Sequence, residues 1–235
     1  MPLYPGVGAY LVSTGRPDGG QEYSPQLAGS PASELYFSSD RSGTLSVWKS
    51  ALTGSGPSQV TTAASDGSLG LDAAADKVCY RSAAGALIVK DIGGGSATVD
   101  TAVEAGCSFS PDGSQVAYAK SGQIYVADSS GAGSPSALGT PPGSWAEHSP
   151  AFSPDGSKIA FTVSDGSGDW ALEVADASSG AIASTPVDFS AYATYFKVPA
   201  PWFGDVSWSS AGDYLLFSAT ATAADDQDVW VLRLS

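Results

Sequence analysis

The stretch that decides the fold is FSPDGSQVAYA at residues 109–119, which returns as FSPDGSKIAFT at residues 152–162. The two copies are 43 residues apart, and each is followed by a second apolar run, QIYVAD at 123–128 and ALEVAD at 171–176. A period of about 40 residues filled with short alternating strands is typical of a β-propeller, in which each repeat forms one blade. The repeat therefore predicts an all-β fold.

Each copy predicts a strand, a tight turn and a second strand. Phe109 and Phe152 are expected on a short inner strand, with their rings in the interface between blades. Pro-Asp-Gly suits a turn because proline presets φ, aspartate bonds back to the backbone and glycine accepts positive φ. The following QVAY and KIAF runs predict a strand that is buried on both faces.

Three weaker copies lie at residues 24–50, 70–92 and 206–235. The copy at 70–92 has lost the Ser-Pro-Asp-Gly turn and is expected to keep only the strand pattern, whereas the copy at 206–235 has SSAG at 209–212. Five copies predict one domain over residues 1–235 with five blades of about four antiparallel strands each. The approximate blade bounds are 24–65, 66–103, 104–144, 145–190 and 202–235. Since the last copy has only three strands, we expect GAYLVST at 8–14 to close the last blade as its outer strand.

The repeat closely resembles the TolB-like β-propeller repeat family, the WD-type repeats with Ser-Pro-Asp-Gly turns. In that family Phe/Trp-Ser-Pro-Asp-Gly-x-x-Ile-Ala-Phe precedes an Ile-Tyr-Val-x-Asp strand, and the resemblance covers most of residues 24–235. It implies a propeller whose axial funnel binds other proteins or small ligands. It implies no activity, because the same repeat occurs in the non-catalytic propellers that gate certain peptidases.

The charge balance argues against two classes of partner. The chain has 24 acidic and 10 basic residues, a net charge of −14. Nucleic acid and anionic membrane surfaces both require lysine and arginine, so neither is expected as a partner. No apolar run approaches the ~18 residues of a membrane span, and the chain has no leader resembling a signal peptide. Localisation stays open; the resemblance suggests the periplasm or the extracellular space if this is a mature chain.

The residues that usually carry chemistry are sparse. His148 is the single histidine, and neither a Gly-x-Ser-x-Gly elbow nor a phosphate-binding glycine loop is present. We therefore expect no catalytic residues, no cofactor and no metal. Cys79 takes the place of Ala117 and Ala160 in the other repeats, which predicts free buried thiols at Cys79 and Cys107 in preference to a bridge or a metal site.

Acidic residues recur just before the inner strands. Glu22, Glu104 and Glu147 stand three positions before Pro25, Cys107 and Pro150, and His148 follows Glu147. Because these segments line one mouth of the axial channel, their carboxylates could converge there on a cation or a basic side chain. The alternative is that each carboxylate caps local backbone N–H groups or faces water.

A long insertion at residues 188–205 brings six aromatic residues to the same mouth. Aromatic clusters on loops mark binding hot spots or sugar-stacking platforms, although this loop could instead plug the funnel with its own rings. The predicted binding residues at the mouth are Glu22, Glu104, Trp145, Glu147, His148, Tyr195, Phe196, Trp202, Phe203 and Asp205.

These observations favour a non-enzymatic scaffold that binds a protein partner through its funnel face. A carbohydrate-binding or glycosidase-like five-bladed propeller is the first alternative, with Glu104 and Glu147 as its carboxylate pair. The second alternative is an accessory propeller of a larger peptidase-like protein. Enzymatic activity is not expected, and a small ligand or sugar remains an alternative to the protein partner.

Overall fold

Antiparallel meanders repeat along the chain, each forming a separate small sheet. The computed structural model describes residues 22–28, 33–52, 56–62, 64–104, 106–139, 146–164, 170–188, 206–220 and 227–234. Among these residues all regular structure is β, and the five sheets are the five blades of a β-propeller, as predicted. Strands within each sheet follow chain order. No helix in the described part of the chain is long and apolar enough to cross a membrane.

The strand bounds show the repeat directly. Blade 1 consists of β1 (Glu22–Ala28), β2 (Glu34–Ser39), β3 (Ser46–Ala51) and β4 (Ser58–Gln59). Blade 2 consists of β5 (Ala64–Leu71), β6 (Lys77–Ser82), β7 (Leu87–Asp91) and β8 (Ser96–Asp100). Blade 3 consists of β9 (Cys107–Phe109), β10 (Gln115–Lys120), β11 (Gln123–Asp128) and β12 (Ser136–Ala137). Blade 4 consists of β13 (Ala146–Phe152), β14 (Lys158–Ser164), β15 (Trp170–Asp176) and β16 (Ile182–Asp188). Blade 5 consists of β17 (Ser207–Trp208), β18 (Tyr214–Thr220) and β19 (Gln227–Arg233).

The chain divides into two compact units, residues 1–67 and 68–235. Blade 1 lies in the first unit, β5 spans the division, and the rest of blade 2 together with blades 3 to 5 lies in the second. Blade 5 has three described strands, and β19 pairs with β18. The segment 8–14 lies outside the described residues, so its pairing with blade 5 stays a prediction.

Apolar side chains from successive blades interdigitate to form the core of the second unit. On β10, Val116 and Tyr118 pack in a cluster with Val89 of blade 2, whereas Ala117 and Ala119 pack with blade 4. The second strand of the repeat is therefore buried on both faces, as its sequence predicted. This follows from the alternation of side chains across a sheet that has a neighbour on either side.

The tight turn between the first two strands has the same geometry in four blades, although its sequence differs. The same backbone bond closes it in blades 2 to 5: Ala75 N to Asp72 O (2.9 Å), Gly113 N to Ser110 O (2.8 Å), Gly156 N to Ser153 O (2.9 Å) and Gly212 N to Ser209 O (2.9 Å). The expectation that blade 2 had lost the turn is wrong. Ala75 takes a φ of 58° where the other blades have glycine, because pairing of the flanking strands imposes the turn.

Side chains stabilise this turn in two ways. Ser110 Oγ accepts a hydrogen bond from Gln115 N (2.9 Å), and Ser209 Oγ does the same for Tyr214 N (3.0 Å) in blade 5. In blade 2 a carboxylate replaces the hydroxyl: Asp72 Oδ1 accepts from the backbone N–H groups of Asp76 (2.8 Å) and Lys77 (2.7 Å). Residues of different types therefore satisfy the same exposed backbone donors.

Candidate functional site

The blades of the second unit present two chemically different ends. Turns between first and second strands lie at one end, which we call the turn end. The hairpin at residues 121–122 and the segment 103–106 lie at the opposite end, which we call the mouth end. Because antiparallel strands alternate in direction, β8, β12 and β16 end at the mouth end and β9, β13 and β17 begin there. The predicted site residues of the second unit belong to the connections between these strands or to the strand positions that follow them.

Glu104 is the predicted site residue whose side chain the structure describes. It is exposed; its Oε1 accepts a hydrogen bond from Gly122 N (3.1 Å), and its own N–H donates to Ala119 O (2.9 Å). One carboxylate oxygen thus caps the hairpin between β10 and β11, as in the capping alternative raised by the sequence. Among the described residues, the carboxylate has no further hydrogen-bond partner. Its position is fixed while part of its hydrogen-bonding capacity stays available to a ligand.

The mouth segment of blade 3 lies beside blade 4. Gly106 has a φ of 70°, and a Cβ built on it would lie 3.5 Å from Ser149 Cα and 3.8 Å from Pro150 Cδ. Ser149 directly follows His148, and β13 pairs Glu147 with Val163 and His148 with Thr162. The backbone therefore brings the Glu104 segment next to the strand that carries Glu147 and His148.

The other predicted site residues are described in backbone only or not at all. Glu22 is the first residue of β1, in the first unit, where it pairs with Ser39. The side chains of Glu22, Glu147 and His148 lie outside what the structure describes. The remaining predicted residues lie outside the described ranges: Trp145, Tyr195, Phe196, Trp202, Phe203 and Asp205. Their convergence on the mouth stays a prediction.

Cys79 and Cys107 form a disulfide, so the prediction of free thiols is wrong. Cys79 lies in the middle of β6 in blade 2 and is fully buried, and Cys107 is the first residue of β9 in blade 3. Their Cα atoms are 6.3 Å apart, within the ordinary range for a disulfide. The small slot that alanine fills in blades 3 and 4 faces the next inner strand, and this places the two sulfurs together. In an alignment of the repeats, Cys79 lies on the second strand of one blade and Cys107 begins the first strand of the next blade. These two positions are neighbours in a propeller, and sequence reasoning did not use this signal.

A buried polar cluster links blades 2 and 3. The Tyr118 hydroxyl donates to Asp100 Oδ2 (2.6 Å), and Lys120 Nζ lies 2.7 Å from Asp100 Oδ1. Burial disfavours ionisation of Asp100, yet the hydrogen bonds from Lys120, Tyr118 and Thr101 N outweigh it and lower the pKa of this carboxyl. Burial and the adjacent carboxylate raise the pKa of Tyr118, so its hydroxyl stays protonated as a donor. These bonds stabilise the interface between blades 2 and 3.

Glu173 is a buried carboxylate that sequence reasoning missed. It lies on β15 opposite Phe161, on the face of blade 4 that packs against blade 3, and is only 6% exposed. Its Oε2 atom is buried and has no hydrogen-bond partner in the described part of the chain, and burial raises the pKa of the carboxyl. In an alignment of the repeats, Glu173 occupies the position that Tyr125 has in blade 3. A charged residue at a position where another blade has an aromatic residue is the signal that the sequence contained.

The turn end uses its polar groups internally. Hydrogen bonds from Ser110 and Ser114 lower the pKa of Asp112 to about 2, and the equivalent bonds from Ser153 and Ser157 do the same for Asp155. Neighbouring turns also touch: Cβ atoms built on Gly156 and Gly212 would lie 3.3 Å from Pro111 Cδ and 3.7 Å from Pro154 Cδ. Both aspartates therefore have the structural role expected of a recurring turn residue.

Two clefts open at the turn end, between blades 3 and 4 (about 320 Å³) and between blades 4 and 5 (about 290 Å³). Trp208 lines the second, but its Nε1 donates to Ala151 O (2.9 Å), and Ser178 in the first bonds Asp176. No group of three or more histidine, cysteine, aspartate or glutamate side chains in the described ranges is arranged to hold a metal. Among the predicted site residues, the described carboxylate that is open to a ligand is that of Glu104, at the mouth end.

Solved structures of other proteins share this architecture, whereas sequence comparisons find no match. No protein-family model and no curated protein sequence matches the chain. TolB from Acinetobacter baumannii has a TM-score of 0.65 at 16% identity, covering 92% of this chain and 55% of that one. A putative TolB from Agrobacterium tumefaciens has a TM-score of 0.67 at 18% identity over 92% and 78% of the two chains. The β-propeller domain of Cps50 (Swd1) from Myceliophteria thermophila has a TM-score of 0.62 at 14% identity over 90% and 69%.

These similarities show the fold alone. The likeness to TolB that the repeat suggested is confirmed at the level of a propeller, and it extends to propellers outside that group. This chain spans about half the length of the Acinetobacter TolB chain. One propeller architecture supports many unrelated functions through its loops, so the shared fold assigns no role to this chain.

Proposed function

We propose that this chain is a non-enzymatic propeller of the TolB-like Ser-Pro-Asp-Gly repeat type that binds a protein partner through the mouth end. The observation that carries the proposal is Glu104. Its exposed carboxylate accepts one backbone hydrogen bond, from Gly122 N, and its own N–H donates to Ala119 O. Two residues further along, Gly106 lies against the strand that carries Glu147 and His148. A preordered carboxylate is a suitable anchor for a lysine or arginine of a partner.

The contrast between the two ends supports the choice of surface. Serine and aspartate at the turn end bond each other and the local backbone, and their neighbouring turns are in contact. Loops at the mouth end can vary without disturbing blade packing, and the insertion at 188–205 with its six aromatics belongs to this end by sequence. Buried aromatic anchors carry much of the energy of protein interfaces.

The charge of the chain fits the same kind of partner. At a net charge of −14, the protein attracts basic surfaces over distances of about a Debye length. The rate of association with a basic partner should therefore fall as the salt concentration is raised. Steering of this kind adds to the rate of encounter, whereas the aromatic residues would supply the slow dissociation.

The experiment compares matched variants against one identified partner. A photo-crosslinking residue at position 200, which leaves Trp202 in place, captures the partner from the native extract, and the purified partner is then titrated. We expect Trp202→Ala to weaken binding by about 30-fold or more, as loss of a buried aromatic anchor does. Glu104→Gln should weaken it in a salt-dependent manner.

The control removes the same charge at the opposite end. Asp91 is the exposed last residue of β7, at the turn end, so Asp91→Asn changes net charge as Glu104→Gln does but should leave affinity unchanged. Equal affinity of all four proteins for the captured partner would refute the mouth as the binding surface. Capture of a glycan in place of a protein would favour the carbohydrate-binding alternative.

A further inference from the structure

The Cys79–Cys107 disulfide joins two blades at the point where the mouth segment enters its strand. Cys107 begins β9 three residues after Glu104, and Cys79 lies buried in the middle of β6. The backbone that carries Glu104 is therefore covalently attached to blade 2 at one end. Since Cys107 also pairs with Tyr118 on β10, the bond holds the first strand of blade 3 between two sheets.

The inner strand of blade 2 packs tightly against this disulfide. A Cβ built on Gly70 would lie 2.5 Å from Cys107 O and 2.6 Å from Cys79 Sγ, distances that no real side chain allows. Glycine is thus required at position 70 because the bridge occupies the space beside β5. The disulfide bond to Cys79 and the close backbone contact with Gly70 together set the position of Cys107.

The remaining anchors of the mouth segment are the buried Val103, which packs in the apolar cluster with Cys79 and Leu87, and four hydrogen bonds. Val103 N donates to Gly85 O (2.9 Å), and Arg81 Nε donates to Val103 O (2.7 Å). Glu104 is held through Ala119 O and Gly122 N, as described above. The Glu104 carboxylate and its bond to Gly122 N are exposed, so this end of the segment exchanges with water more readily than the buried Val103 does.

We propose that the disulfide is a positioning device for the mouth, which holds Glu104 beside the strand of Glu147 and His148 only while the bond is intact. The consequence for binding rests on the proposed function. A dithiol reductant releases the segment: its thiolate attacks Cys107, the partly exposed partner, and Cys79 leaves and takes up a proton. The second thiol of the reagent then displaces Cys107, so that two electrons and two protons reach the protein and the reagent becomes a disulfide.

The same argument assigns the conditions in which the mouth is ordered. Disulfides form and persist in oxidising compartments and are kept reduced by the thiol pools of the cytosol. The binding-competent form is the oxidised one. A chain kept in reducing conditions would retain its blades, because the apolar clusters between blades 3 and 4 and between blades 4 and 5 contain neither cysteine.

Amide hydrogen exchange on the full 235-residue chain tests the proposal. Oxidised protein is compared with protein reduced by dithiothreitol and with Cys79→Ala, whose new side chain is the one found at the aligned positions 117 and 160. We expect the amides of Glu104 and Gly122 to exchange about tenfold faster or more without the bond, while those of Gly156 and Gly212 are unchanged. If Cys79→Ala fails to fold, it is replaced by Cys107→Val, which introduces the residue that blade 5 has at the aligned position 206.

Two results would overturn the proposal. Unchanged exchange at Glu104 and Gly122 would show that the bridge does not position the segment. Uniform acceleration that includes Gly156 and Gly212 would show that it is a general stabiliser only. Neither result depends on a partner, so the exchange measurement stays informative if the proposed function fails. If a partner is found, reduced protein should bind it more weakly than oxidised protein does.

Discussion

The hydrogen bonds among Asp100, Tyr118 and Lys120 lead to a prediction about how much the interface between blades 2 and 3 contributes to stability. Tyr118→Phe removes one hydroxyl, which lies 2.6 Å from the Asp100 carboxylate, and keeps the fully buried ring. Phe161 fills the aligned position of blade 4, so the repeat itself accepts phenylalanine there. The substitution should therefore report the hydrogen bond with little change in packing.

The structure sets the magnitude. A hydrogen bond to a charged group contributes about 1.5–3 kcal/mol to the free energy of unfolding. Asp100 retains Lys120 Nζ (2.7 Å) and Thr101 N (2.7 Å) after the change, so the carboxylate is not left unpaired. We therefore expect a loss in the lower part of that range, about 1.5–2 kcal/mol at pH 7.

The loss should also depend on pH in a defined direction. Because the pKa of Asp100 is lower in the folded protein than in the unfolded chain, its contribution is present above the unfolded pKa, about 4. That contribution disappears as the pH falls through the folded pKa. The difference between wild type and Tyr118→Phe should accordingly shrink as the solution is acidified below pH of about 4.

Urea unfolding of wild type, Tyr118→Phe and Tyr125→Phe measures both effects. Tyr125 stacks on Tyr118 with ring centroids 6.0 Å apart, and its hydroxyl makes no hydrogen bond among the described residues, so it is the matched control. Equal stabilities of the two variants at pH 7 would refute the argument. So would a Tyr118→Phe deficit that stays constant down to the acid transition.

Three further predictions concern stability. Glu173→Gln should raise the free energy of unfolding at neutral pH by about 1 kcal/mol or more, since it removes a poorly solvated charge. Because burial raises the folded pKa of Glu173, the free energy of unfolding of wild type should fall as the pH rises from the unfolded pKa through the folded pKa. The glutamine variant should show no such fall, so its advantage over wild type should be complete only above the folded pKa. Ser153→Ala should cost about 1 kcal/mol in urea unfolding, because Lys158 N loses its acceptor; an unchanged midpoint would contradict this. Deletion of residues 1–15 should lower the melting temperature or cause aggregation if 8–14 closes blade 5, and unchanged thermal stability would exclude that closure.

Most of the architecture could be predicted from the sequence because the repeat is a local property. Alternation of apolar residues in QVAY and KIAF requires a strand with a neighbour on each face, and five copies give five blades. Prediction failed where different residues satisfy one geometry. In blade 2, Asp72 replaces a serine and Ala75 accepts a positive φ, so the turn persists without its sequence signature.

At the candidate site the sequence supplied positions but not contacts. The repeat alignment predicted acids just before three inner strands, which is right for Glu104 before β9 but wrong for Glu22 and Glu147, which lie within β1 and β13. Both strands begin earlier than the repeat pattern indicated. That the Glu104 carboxylate would cap Gly122 depends on how the next hairpin folds back. Such a contact joins residues 18 positions apart, and no local pattern encodes it.

What the sequence alone determined is therefore what recurs within about 40 residues: strand periodicity, blade number and the turns with Ser-Pro-Asp-Gly. Only the tertiary structure decided what happens between blades. Cys79 looks like a substitute for alanine until the neighbouring strand brings Cys107 to it, and Glu173 looks like an exposed acid until blade 3 covers it. The physical reason is that burial and bonding between blades depend on which surfaces contact each other. The repeat pattern determines the side chains on each blade surface but not the residues of the next blade that pack against them.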